Sequence, residues 1–204
     1  MHRISSVCVL ALLLASAGPL SAQAWDGPSF FSPRPGEDIG IYLIDADGAD
    51  DLGIAGIWRQ EGNLNLGLRL GFLDGDRFAV GAEFYGPIGG LEAPLLLSWV
   101  VGVGGTFNGA DWIRVPAGLS LGASFNAGTL NILPYVHPRI AFDYISFDTP
   151  AGDDSDSELN FDLDLGADIG LGPRFVLRFG ATVGDWDAIG VGIAYRLGRR
   201  VVVR

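Results

Sequence analysis

NLNLGLRLGFLDGDRFAVGAEFYG, residues 63–86, is the stretch whose reading decides the fold. Leu64, Leu66, Leu68, Leu70 and Phe72 share one face of an extended chain, and Asn65, Gly67, Arg69 and Gly71 share the other. After Asp74-Gly75 the apolar face continues through Phe78, Val80, Ala82 and Phe84, and the other through Arg77, Gly81, Glu83 and Tyr85. Strict period-two alternation marks strands, and Asp-Gly supplies the positive φ of a tight hairpin turn. Each run is about ten residues long, the length with which a tilted strand crosses the hydrocarbon of a membrane.

The chain has 204 residues, enough for one all-β domain. Residues 1–24 combine an early cation at Arg3, an apolar run over 7–15, Gly18-Pro19 and a small-residue site at Ala22-Gln23-Ala24. That layout is a secretory signal peptide, and it puts the mature start at Trp25. Its removal takes away Cys8, the one cysteine, and Arg3, so the formal charge moves from −11 to −12 and no disulfide scaffold is open to the mature chain. Cys8 has no lipoprotein context, so no lipid anchor is expected. All 13 basic residues are arginines, scattered along an acidic chain. This argues against a nucleic-acid partner. After the leader no stretch reaches the roughly 18 apolar residues of a membrane helix. The nearest, 93–107, is interrupted by Gly102, Gly104 and Gly105. An exported chain of this kind stays soluble or closes a barrel.

Residues 25–36, WDGPSFFSPRPG, hold three prolines and no alternation. They read as an irregular periplasmic lead-in, either lying across the barrel mouth or mobile. The barrel is assigned to 37–197, with strands at 38–45, 52–59, the hairpin 63–86, 95–104, 112–124, 130–147, 159–171, 174–184 and 188–197, and a tail at 198–204. Phe125 to Gly128 reads as a turn. Ten strands is an even number, which brings both ends to one side. Eight is the alternative. The longest connections, at 46–51, 105–111 and 148–158, fall on one side of the sheet and the shorter ones mostly on the other, although 87–94 is long for its side.

Alternation alone would also suit a soluble ligand-binding barrel with its apolar face inward. The second face argues otherwise. It carries Gly67, Gly71, Gly81, Gly102, Gly104, Gly118, Gly122, Gly166, Gly170, Gly180, Gly190 and Gly192. Glycine suits the crowded concave side of a curved sheet, whereas the Leu, Phe, Val and Ile of the first face would overfill a small lumen and fit against lipid. Closure is then obligatory, because lipid offers the backbone no partner. Trp58, Phe72, Phe84, Trp99, Trp112, Phe125, Tyr144 and Tyr195 stand near strand ends, as interfacial girdles do.

With IRVPAGLSLG at 113–122 and IGVGIAYRL at 189–197, the chain resembles the outer-membrane protein β-barrel domain family, the small OmpA-like and opacity-protein superfamily. The resemblance covers the mature chain and rests on pattern more than on a unique motif. It implies an outer-membrane barrel with periplasmic termini, surrounded by outer-membrane lipid and lipopolysaccharide. It also implies a final strand read by the barrel assembly machinery, through Gly192, Tyr195 and Leu197. Family members usually stop on a terminal aromatic, whereas GRRVVVR follows here. The resemblance implies no single activity.

Inside such a barrel the ionisable residues are Arg69, Glu83, Arg114, His137, Arg139, Asp162, Asp164, Asp168, Arg178 and Arg196. They read either as a salt-bridged packed interior, favoured by the narrowness of the barrel, or as a charge-lined channel. His137 and Asp143 share a face, but six residues of strand separate them by roughly 20 Å, so they are no dyad. There is no G-x-S-x-G element. The acidic loops 45–51 and 153–158 could hold calcium or bridge lipopolysaccharide through divalent cations; the first departs from the helix-loop-helix calcium pattern, with Gly56 in place of the glutamate. A solvated loop is the simpler reading. No cofactor and no resident metal are expected. The expectation is a small non-enzymatic outer-membrane barrel with a structural or surface role, with a narrow diffusion channel as the alternative.

Overall fold

The computed structural model describes residues 25–46, 52–63, 65–73, 77–107, 111–149 and 152–198. The leader 1–24, the Asp74-Gly75 turn, most of the 46–51 loop and the tail beyond Gly198 lie outside the described residues.

The described residues form eleven strands: β1 (Asp38–Ala46), β2 (Gly53–Gln60), β3 (Asn65–Leu73), β4 (Arg77–Pro87), β5 (Leu95–Phe107), β6 (Asp111–Ala123), β7 (Phe125–Ala127), β8 (Leu130–Thr149), β9 (Gly152–Leu171), β10 (Phe175–Val183) and β11 (Ala188–Arg196). Every pairing is antiparallel, and β1 pairs with β11, so first and last strands close the sheet. β6 pairs with β8, and β7 carries that ladder on in the same register after a break at Ser124. The ring therefore has ten strands, and β7 is a stub of β6 where a plain turn was expected.

Period two sets the two walls. Along β1 burial alternates at every residue, with Asp38, Gly40, Tyr42 and Ile44 inside and Ile39, Ile41 and Leu43 outside. In β3 Leu70 and Phe72 are outside, 54% and 60% exposed, while Arg69 is 3% exposed. The exposed large side chains continue round every strand of the ring, far beyond the scattered apolar residues that water tolerates. An apolar outer wall, a polar interior and a closed ladder are the build of a membrane-spanning barrel.

Four expectations need correction. The acidic loop at 148–158 is mostly strand: β8 and β9 pair continuously from Leu130–Leu171 to Thr149–Gly152. β10 covers β9 only as far as Leu163 and β6 covers β8 as far as Ser146, so only the tip of this hairpin stands beyond the ring on both sides. Likewise β5 and β6 take in most of the expected 105–111 loop. Trp112 does not join an outer girdle. It is 1% exposed and packs inside against Ile145 and Trp186. Finally, residues 25–32 neither cross the mouth nor hang free, because they are buried within the barrel.

The outer wall gives a direct test of the solvent it faces. Replacing Leu70 with Arg should cost about 2–4 kcal/mol in bilayer-refolded protein, falling toward zero if the residue sits at the interface. Urea titration in lipid vesicles measures it. A neutral effect at Leu70, Phe72 and Ile41 alike would remove the membrane from the account.

Candidate functional site

The site is the lumen and the strap that fills it. Trp25, Phe30 and Phe31 are each no more than 3% exposed. Phe30 packs with Tyr42, Ile44, Ala55 and Ile57, and Phe31 with Tyr85 and Val100. Trp25 packs with Leu73 and Ala79. Several inward glycines are the seats of these rings. A Cβ on Gly81 would lie 2.1 Å from the Trp25 indole, and one on Gly104 2.8 Å from it. One on Gly190 would lie 2.6 Å from Phe30. The barrel's own rings are seated in the same way, Tyr42 over Gly192 and Tyr135 over Gly166. Curvature alone does not explain this glycine pattern; the absent side chains make room for particular aromatic groups.

Arginines of the wall bind the strap by its backbone. Arg69 donates to the carbonyls of Trp25 at 2.9 Å, Pro28 at 3.2 Å and Ser29 at 2.8 Å. Arg59 donates to the carbonyls of Phe30 at 3.0 Å and Ser29 at 3.2 Å, and to Glu83 at 2.6 Å. Ser120 donates to the Phe31 carbonyl at 2.8 Å. These contacts surround Phe30, which holds φ at 49°, a left-handed conformation that L side chains avoid unless neighbours enforce it. Strap side chains reach outward too. Asp26 pairs with Arg114 and Arg139, Ser32 donates to Asp168 at 2.9 Å, and Ser29 Oγ lies 2.9 Å from His137 Nδ1.

Around the strap the wall's charges pair across strands. Register places Arg114 opposite Asp143, Arg139 opposite Asp162, His137 opposite Asp164 and Arg178 opposite Asp168. Arg114 contacts Asp143 at 3.0 Å and also Asp162. Arg139 reaches Asp162 at 3.5 Å and Asp164 at 3.3 Å. Arg178 binds Asp38 at 2.6 Å, Asp168 at 3.3 Å and the Tyr42 hydroxyl at 2.8 Å. A buried charge is costly unless paired, and this mesh pairs each of these arginines with a carboxylate.

Of the ten ionisable residues picked from the sequence, nine meet in this network. Arg196 does not; it is half-buried at the end of β11, level with Asp38 in the ladder. Gly192 lies beneath the Tyr42 ring, Tyr195 accepts a hydrogen bond from Arg174 at 2.7 Å, and Leu197 is exposed. Sequence reading missed Arg59, Asp38, Asp26, Ser29 and Ser32. Arg59 and Asp38 were legible by parity, since they share a face with Ile57 and with Tyr42. The strap residues had no such signal, because the segment has no period.

These contacts do not make a Ser-His-Asp relay. His137 meets Ser29 Oγ and Asp164 Oδ2 (3.2 Å) through the same nitrogen, Nδ1, and its Nε2 faces Gly118. A relay needs the hydroxyl and the carboxylate on opposite ring nitrogens. Asp143, the histidine's same-strand neighbour, instead accepts from Trp112, Arg114 and Asn160. Among the described residues no cluster of His, Cys, Asp or Glu is suited to hold a metal ion.

Seating of Trp25 can be tested by a double-mutant cycle. Trp25→Ala should destabilise by about 3–5 kcal/mol. Gly81→Val should be costly in the parent and much less so in the Trp25→Ala background, where the ring is gone. Additive costs in urea titrations would show that the two groups do not meet.

No protein-family model matches the sequence, and no curated protein matches it. Among solved structures, the chain is similar to the N-terminal β-barrel domain of Pseudomonas aeruginosa OprF, at 11% identity over 78% of this chain and 97% of that one, with a TM-score of 0.39. It is similar to Neisserial surface protein A at 11% identity over 78% of this chain and 94% of that one, with a TM-score of 0.36. With Ail, the attachment invasion locus protein of Yersinia pestis, it shares 15% identity over 78% of this chain and 95% of that one, with a TM-score of 0.33.

Proposed function

We propose that this protein is a small, non-enzymatic β-barrel of the outer membrane, with a closed lumen and a structural or surface role. The observation that carries the reading is the strap. Its rings occupy seats cut into the wall, and its carbonyls take up guanidinium donors that would otherwise be buried without acceptors. An ion path would have to run through these groups. The apolar outer wall supports placement in a membrane, and the export leader supports the outer one. Short turns then face the periplasm, and the long β8–β9 arm, with Asp156 and Glu158 exposed, faces the medium. Lipid and lipopolysaccharide are the surroundings this orientation implies, and the final strand is the segment offered to the assembly machinery.

Planar-bilayer recording tests the closed lumen. The parent, shown to be folded and inserted, should give no conductance steps, whereas replacing Trp25, Phe30 and Phe31 together by Ser should release the strap and produce them. Steps in the parent would make the protein a narrow channel. Recovery of the native protein in the soluble periplasmic fraction would overturn the membrane placement.

A further inference from the structure

At the end of the barrel where β1 begins, three segments meet around a pocket: the run from the strap into β1, the β2–β3 turn and the β4–β5 connection. The connection is long for its side, and it is not slack. The Ile88 N–H donates to the Leu97 carbonyl at 2.9 Å, the Leu95 N–H to the Glu92 carbonyl at 3.0 Å, and the Ser124 N–H to the Pro94 carbonyl at 3.0 Å. So fixed, the connection borders a pocket of about 320 Å³, which is within the size range of small-molecule sites. Pro33 and Pro35, both buried, line it from the strap side. Tyr85 lines it too, with its ring packed edge-on against Phe31 at 5.4 Å.

The lining combines three polar groups with an aliphatic remainder. Ser98 is 1% exposed on the inward face of β5, and its Oγ has no hydrogen-bond partner among the described residues. A buried hydroxyl in that state gains from any ligand that supplies one. Arg34 and Glu61 are exposed lining residues of opposite charge; each acts on the other, yet they stand beyond ion-pair distance. Partial burial and then the like charge of Glu37 push the Glu61 carboxyl above the usual glutamate range, and Arg34 opposes them. Ile88, Leu91 and Leu96 supply aliphatic surface. The Tyr85 hydroxyl is already engaged, donating to the Gln60 carbonyl at 3.1 Å. Among the described lining residues no other ring offers a face on which a sugar or a base could stack.

We propose that this pocket binds a short aliphatic peptide with free termini, its carboxylate meeting Arg34, its ammonium Glu61 and its amide the Ser98 hydroxyl. Every polar group of such a ligand then finds a counterpart, and its side chains cover the aliphatic lining. A free amino acid would leave Ser98 without an amide to bond, and a simple ion would leave the aliphatic surface uncovered. The site goes beyond the closed-barrel reading and does not depend on the compartment that this end of the barrel faces.

Purified barrel in lipid nanodiscs is titrated with alanyl-leucine, with its N-acetyl form and with its C-terminal amide, and binding is followed by ligand-observed NMR. The parent should bind alanyl-leucine about threefold or more tightly than either blocked peptide, the scale of an exposed ion pair. Arg34→Gln should erase the preference over the amide and keep the preference over the N-acetyl form. Glu61→Gln should do the reverse. Both side chains are exposed, so these proteins should fold as the parent does. Ser98→Ala should weaken all three peptides alike. No saturable binding of alanyl-leucine by the folded parent overturns the site. Preferences that survive both Arg34→Gln and Glu61→Gln seat the peptide elsewhere and overturn it as well. Tighter binding of the amide than of the free acid would mark a site for cations and overturn the zwitterionic assignment. Conductance is a separate readout, so failure of the pocket and failure of the closed lumen are told apart.

Discussion

A guanidinium buried inside a closed barrel has five N–H groups and can send them only to acceptors that the chain itself provides. The wall of this barrel buries Arg59, Arg69, Arg114, Arg139 and Arg178 at 3% exposure or less. Three of them find carboxylates directly across a strand pairing. Arg69 has a different fate, because its donors go to strap carbonyls. The strap is therefore a component of the wall's hydrogen bonding, and without it Arg69 loses the carbonyls that take its donors. Satisfying that one cation ties the irregular segment to the barrel.

The same dependence explains the glycine distribution. Small side chains on a concave wall are expected from crowding, but crowding would spread them evenly. Here several sit opposite rings: Gly81 and Gly104 under Trp25, Gly190 under Phe30, Gly192 under Tyr42, Gly166 under Tyr135. Each ring gives a rigid apolar filling for a lumen whose remaining surface is charged. Dense filling and paired charge act together, since excluding water strengthens each ion pair while making any unpaired group more costly.

A packed interior also directs the search for activity outward. Ser29, His137 and Asp164 form a compact cluster that resembles a catalytic constellation only until the ring nitrogens are assigned. What the barrel presents to its surroundings is an apolar belt and, at one end, the β8–β9 arm. The β8–β9 pairing runs without a break from within the ring to Thr149–Gly152, so this end of the hairpin is strand instead of a slack loop.

How much of this was legible beforehand varies by element. The alternation in 63–86 determined strands, walls and even the sense in which the walls face, because a period of two is a local property and large apolar side chains cannot fit a narrow lumen. Ten strands followed from repeating that unit. The pairing of Arg114 with Asp143, or His137 with Asp164, was beyond reach, since it depends on register between strands, and a shift of one residue turns every side chain to the other wall. Arg59 obeyed the period and was overlooked; Asp26, Ser29 and Ser32 obeyed none. Residues 25–36 look like a linker because their order comes entirely from groups tens of positions away. The sequence by itself determined a sheet with an apolar and a polar face. Only the tertiary structure decided that the polar face is packed around residues 25–32, because carbonyl acceptors and aromatic seats exist only once the ring has brought them to one place.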